Sequence, residues 1–181
     1  MGKNLTKYVA ENTAIVSFIT PVFAGLETIL IGMDNNDSIR ARVIGIAAVY
    51  LGIGTLYSRG RDKFREKFNV NSGDSESKIQ FYDTLYGFVF NLAVAPTFYY
   101  LAGCRDLKEI LMGSATGITI GVTTAAAIGY AIETYKYLIG VETSKRLPNF
   151  ISKLNAREKV FLATLLTTGS LAATCEIYMH H

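Results

Sequence analysis

Tryptophan is absent from the chain, histidine is confined to His180 and His181 at its end, and cysteine occurs only at Cys104 and Cys175. Each scarcity removes a class of chemistry. Without internal histidine there is no HExxH zinc helix, and the sequence also has no CxxC pair, no Gly-rich phosphate loop and no Ser-centred elbow. No enzyme, no metal site and no cofactor is therefore expected. A divalent-metal carrier is disfavoured because no His, Cys or acidic cluster falls inside an apolar run. A sugar carrier is disfavoured by the missing Trp, although Tyr can substitute. The slight net charge of +3 does not point to nucleic acid, because the charges gather between apolar runs.

Charge itself is missing where it matters most. From Ile110 to Ile132 the chain carries not one charged side chain. As a helix with about 1.5 Å of rise per residue that run spans a hydrocarbon core of about 30 Å. Four more spans follow from the same reading: 12–33, which contains Glu27, 43–58, 84–104 and 160–175. The second and fifth are short. Arg42 and Arg59 lengthen the second by snorkelling, and Asn155, just before Glu158, enters the fifth as a capping box. The fold class expected is an all-α polytopic membrane bundle forming a single membrane domain over 1–181. It consists of two parallel-repeat hairpins and an additional C-terminal helix over 155–178.

The loops fix orientation. With the N-terminus and the 59–78 and 134–159 loops on one side, every Lys and Arg lies there except Arg40, Arg42, Arg105 and Lys108. The positive-inside rule makes that side cytoplasmic and, with five spans, puts the C-terminus outside. Cys104 and Cys175 then share the outer side, where a disulfide is the alternative to two small core residues. Lys3 and Lys7 before an apolar run resemble a secretory signal ending at Val22-Phe23-Ala24, and Gly2 to Thr6 fits a myristoylation pattern. The first span has a partner later in the chain, which favours its retention. The segment RLPNFISKL reads as short and interfacial.

That partner is an internal repeat. One ungapped shift of the chain along itself aligns Thr13 with Thr84, Ala24 with Ala95, Gly32 with Gly103, Ile39 with Ile110 and Asp62 with Glu133. The units are 9–70 and 80–141, each with two helices and thus parallel about an axis near the membrane normal. The shift pairs Thr20 with Asn91, and brings Pro21 and Pro96 to similar depths. Proline kinks at matched depth suit a midplane pocket, while membrane helices also carry Pro for other reasons. Glu11 and Asp83 stand at the expected starts of the first and third spans, where helix-dipole capping and proton coupling both fit. Asp62 and Glu133 end the second and fourth, beside Arg59, Arg61 and Lys136, and read as either ion-paired anchors or pathway groups. Glu27, inside a span, is a functional candidate by default, paired with Arg42 or Arg105 or snorkelling outward. The uncharged span carries Gly113, Gly117, Gly121, Ala125 and Gly129 at regular steps of one helical turn, a ridge for close helix packing or a homodimer through helix four.

The run from Val9 to Ala14, then Glu27, Gly32-Met33, Arg42 and Tyr57-Ser58-Arg59-Gly60-Arg61-Asp62-Lys63-Phe64, resembles the first half of the small bacterial L-alanine exporter family. Tyr82-Asp83, Gly103 and Gly129 to Tyr135 resemble its second half, so the likeness covers about residues 9 to 141. Glu11 and Glu133 stand where that family has Asp, Ala41 where it has Ser, and the fifth helix has no counterpart. The resemblance implies export of L-alanine or a similar small neutral amino acid by proton antiport, with substrate, protons and bilayer as partners. Transport of another solute and a non-transporting membrane scaffold are the alternatives. Within that reading Arg42 is the outer cationic candidate and Asp83 the proton-coupled carboxylate.

Overall fold

A computed structural model describes residues 2–30, 32, 34–101 and 107–180. The chain is an all-α membrane helix bundle, and no strand occurs among the described residues. Helix α1 (Gly2–Gly25) runs into a π-helical turn, Leu26–Leu30; α2 (Asn35–Ala48) and α3 (Gly54–Lys67) are joined by a second, Val49–Ile53. Then come α4 (Glu76–Leu101), α5 (Leu107–Leu138), the single turn α6 (Asn149–Ser152) and α7 (Ala156–His180).

Local chemistry explains where these elements begin and end. The Asp34 carboxylate accepts from the Asn36 amide at 2.8 Å and opens α2. The expected capping box is present: Asn155 Oδ1 accepts from the Glu158 amide at 3.1 Å, and Glu158 Oε2 accepts from the Asn155 amide at 2.8 Å. Helices α3 and α5 close alike. Val70 donates to the Arg65 carbonyl at 2.8 Å and Asn69 to that of Glu66 at 3.1 Å, with Asn69 at φ 52°. In α5, Val141 donates to Lys136 at 2.8 Å and Gly140 to Tyr137 at 3.0 Å, with Gly140 at φ 76°. Both are Schellman caps, and the shift that aligns Thr13 with Thr84 carries one onto the other.

Among the described residues, three helices are long and apolar enough to cross a membrane: Asn4–Ile29, Ser38–Lys67 and Ala156–His180. All three extend beyond the uncharged stretches, because their charged ends continue the helix. Leu51, Val160, Phe161 and Leu171 lie exposed along them, as lipid-facing side chains do. Helices α4 and α5, with 26 and 32 residues, measure about 39 and 48 Å. The expected 84–104 span ends in residues outside the described ones, as do Met33, Gly103, Cys104 and Arg105. Cys175 is exposed on α7.

Contacts divide the chain into two compact units, Met1–Leu56 with Tyr130–His181, and Tyr57–Gly129. In the first, α1 lies along α7, where Ser170 Oγ donates to the Ser17 carbonyl at 2.6 Å. Ala10, Ala14 and Ala24 are wholly buried on α1. Tyr137, Leu138, Leu147 and Ile151 form a small core, and the Tyr137 hydroxyl donates to the Ser152 carbonyl at 2.7 Å.

In the second unit α4 and α5 are antiparallel in strict register. Cβ atoms built on the glycines show it: at Gly129 one meets the Asp83 carboxylate, at Gly87 the Ala125 methyl, and at Gly121 the Asn91 amide. Ala95 and Gly117, next in phase, are also buried. The small-residue ridge is thus filled by α4 of the same chain, which lets the backbones approach closely. Gly113 lies in α5 with its surroundings outside the described side chains. Against α4, Tyr57, Phe64 and Phe68 of α3 stack with Tyr82, Tyr86 and Phe90, the Tyr57–Phe90 pair edge-to-face at 5.1 Å. Such a contact is worth about 0.5–1.5 kcal/mol beyond area burial.

Both prolines lie inside α-helix: α1 continues through Pro21 and α4 through Pro96. The irregular backbone falls elsewhere, on Leu26–Leu30 and on Val49–Ile53, where Gly52 takes φ 134°. Only glycine tolerates that angle without strain.

Candidate functional site

The expected acids are not helix caps. Glu11 lies in the third turn of an α1 that begins at Gly2, and Asp83 in the second turn of an α4 that begins at Glu76. The dipole effect fades within the first turn, so capping does not explain them. Both are fully enclosed and bonded to cations.

Asp83, with 0% of its surface exposed, occupies the middle of the Tyr57–Gly129 unit. Arg65 approaches it with both arms of its guanidinium, Nε donating to Oδ1 at 2.6 Å and Nη2 to Oδ2. Arg61, one turn earlier on α3 and 1% exposed, donates from Nη1 to the Gly129 carbonyl at 3.0 Å and from Nη2 to Asp62 at 2.8 Å. A Cβ at Gly129 would also come within 3.2 Å of Arg61 Nη1, so glycine is what admits the acid and the arginine together. The Tyr57 hydroxyl is buried in this unit with no hydrogen-bond partner. Leaving such a group unpaired costs about 1–3 kcal/mol, which a polar ligand or water would recover.

In the other unit Glu11 and Glu27 each belong to a charged cluster. Glu11 lies 3.0 Å from Lys136 Nζ and 3.9 Å from Lys7, while Glu142 lies 3.2 Å from Lys136 and 2.5 Å from Lys7. Burial of Glu142 works to raise its pKa, but Lys7 and Lys136 outweigh it and hold the carboxyl below the ordinary glutamate range. The neighbouring Asn12 is wholly buried, and both its amide atoms lack partners. In the second cluster Arg42 Nη2 meets Glu27 Oε1 at 2.5 Å, Ser38 Oγ donates to Glu27 Oε2 at 2.7 Å, and Arg42 lies over the Phe23 ring at 4.7 Å.

The remaining expected residues are scattered. Thr20 is buried on α1. Asn91 bonds back to the Gly87 carbonyl at 2.8 Å and packs on Gly121. Asp62 takes Arg61 as its partner. Glu133 is held by Arg146 at 2.9 Å and Ser144 at 2.7 Å, while Lys136 goes to Glu11. Reading the sequence did not single out Arg65, Arg146, Ser38 or Tyr178, and it set Lys136 beside Glu133 where the structure pairs it with Glu11. A signal for Arg65 was available: the shift that superposes the repeat units places it on Lys136.

Apolar helices that carry charged pairs in their interiors define a polytopic membrane protein built to handle polar or charged species. The model of the L-alanine exporter family (AlaE) matches residues 1–142, and the chain belongs to that family of membrane transporters. No curated protein and no solved structure matches it.

Proposed function

We propose that the protein exports L-alanine, or a similarly small neutral amino acid, in exchange for protons, with its N-terminus in the cytoplasm of a prokaryotic cell. The observation that carries this reading is the enclosed Asp83–Arg65 pair. A zwitterion can enter between two such charges and satisfy both, its carboxylate on the guanidinium and its ammonium on the carboxylate. Arg65 offers the planar fork that recognises carboxylates with two parallel bonds. The Gly129 carbonyl, beside both, is a further acceptor for the ammonium.

Proton coupling follows from the acid. An ionised Asp83 attracts the substrate ammonium, and a protonated one does not, so proton and substrate exclude each other on one carboxylate. That is the condition for exchange. Asp62 and Asn91 share the unit of this centre and are read as pathway groups with it, and Glu11, Thr20, Glu27, Arg42 and Glu133 are read as pathway groups of the other unit. The two-helix units 9–70 and 80–141 are read as a repeat, which the matching caps of α3 and α5 support. A homodimer seam would lie away from the α5 ridge, since α4 already covers it.

The test is alanine efflux from proteoliposomes under an imposed pH gradient. Asp83→Asn should lose proton-driven efflux, and export at the normal rate by that variant would sink the role of Asp83. Wild-type protein with intact folding and no alanine flux would sink the exporter reading itself.

A further inference from the structure

Helix α7 begins at Ala156, beyond the stretch that the exporter family matches. It nonetheless reaches the Glu27–Arg42 pair. The Tyr178 hydroxyl lies 2.9 Å from Ser38 Oγ, and Ser38 donates to Glu27 at 2.7 Å. The backbone is tied at the same point, because Asn35 Nδ2 donates to the Tyr178 carbonyl at 3.1 Å. Ser38 is wholly buried and Glu27 nearly so. Among the described residues, the charged and titratable groups that meet Glu27 are Arg42 from α2 and, through Ser38, Tyr178 from α7.

We propose that Glu27 and Arg42 form a second zwitterion-binding station, and that Tyr178 of α7 is its positioning residue, acting through Ser38. The inference rests on the exporter reading and adds to it a site and a helix. Three observations support it. The pair presents one carboxylate and one guanidinium at 2.5 Å, a separation that an amino acid opens by inserting its ammonium and carboxylate between them. Arg42 Nε is buried without a partner, so a donor is already in place for a carboxylate oxygen. The acid is held by a hydroxyl relay, Tyr178 to Ser38 to Glu27, that fixes one oxygen and leaves the other facing Arg42. The irregular backbone of Leu26–Leu30 carries Glu27 out of the α-helical phase of α1 toward α2. Helix α7 thereby contributes to the site from outside the part of the chain that the family shares.

The experiment uses the full chain in proteoliposomes, with alanine as the probe and both KM and kcat of efflux measured. Tyr178→Phe and Ser38→Ala should each raise KM about three- to tenfold, the worth of one lost hydrogen bond in the site, with kcat changed less than about twofold. The double variant should match Ser38→Ala alone, and Tyr178→Phe should add nothing to Glu27→Gln. A helix that merely braces the fold would lower the active fraction, and hence kcat, at constant KM; that result overturns the proposal. Unchanged KM in both single variants, with export intact, overturns it too while leaving the exporter reading standing. Absence of flux in the wild type would instead fail the exporter reading.

Discussion

Asp83 in one unit and Glu11 in the other are each buried against a cation, and the two pairs differ in how they are enclosed. Arg65 and Lys136 are the equivalent residues of two helices that end in the same cap, and Asp83 on α4 falls within one position of Glu11 on α1 under the same shift. Asp83 receives both arms of an arginine and sits among three helices, with a second arginine one turn away. Glu11 shares its lysine with Glu142, and Glu142 with Lys7, so the charge is relayed to half-exposed groups. Asp83 thus has a closed centre in one unit, and Glu11 a chain of charges leading to water in the other. The first suits a group that exchanges a proton with a bound solute, and the second suits an anchor.

The largest test of that contrast is Asp83→Asn beside Glu11→Gln. Asp83→Asn removes the group that carries the proton, so proton-driven efflux should fall about 100-fold or more, while Glu11→Gln leaves Lys136 with Glu142 and should cost less than about tenfold. Equal losses in the efflux assay would make both units working centres. Next is Gly129→Ala against Gly54→Ala. The new methyl at Gly129 strikes a carboxylate pinned by arginine, and melting in detergent should show about 1–3 kcal/mol of destabilisation. At Gly54 the methyl meets the Asn12 amide, which no hydrogen bond holds, and the loss should be smaller. Arg65→Lys should raise the alanine KM about tenfold because one of two parallel bonds goes, whereas Lys136→Arg should leave KM within about threefold.

The smallest effect is pH dependence at the anchor. The Glu142 carboxyl is held below its unfolded value, so its contribution is complete above the ordinary glutamate pKa of about 4.3 and is lost as pH falls through the folded value. Solvent screens this half-exposed group, and its share stays below about 1 kcal/mol. Melting followed from pH 6 downward should therefore drop slightly further in the wild type than in Glu142→Gln, and added salt should shrink the difference. Asp74 in the other unit is also lowered, by the Asn71 amide and Lys78, and Asp74→Asn should show the same sign.

The all-α architecture was legible because uncharged runs of membrane length leave few alternatives. Helix ends were not, since Lys3, Lys7, Glu76 and Arg59 to Lys67 read as loop charge yet continue the helices. The Asn155–Glu158 cap was readable because its partners are close neighbours in the chain. Asp83 could be selected as an isolated acid, but its pairing with Arg65 could not, because a whole turn between helices separates them and only packing brings them together. Tyr178 had no signal of its own in the sequence. Its value depends on the path of α7 beside α1, which no local pattern records.

The register of α4 on α5 has one further consequence. Two bulky polar side chains, Asp83 and Asn91, each rest on a glycine, and between those glycines stands Ala125, opposite Gly87. Sliding α5 by one turn either way would drive a polar group onto the Ala125 methyl, Asp83 in one direction and Asn91 in the other. A single methyl therefore works as a detent, and the acid reaches its arginine at one setting of the two helices.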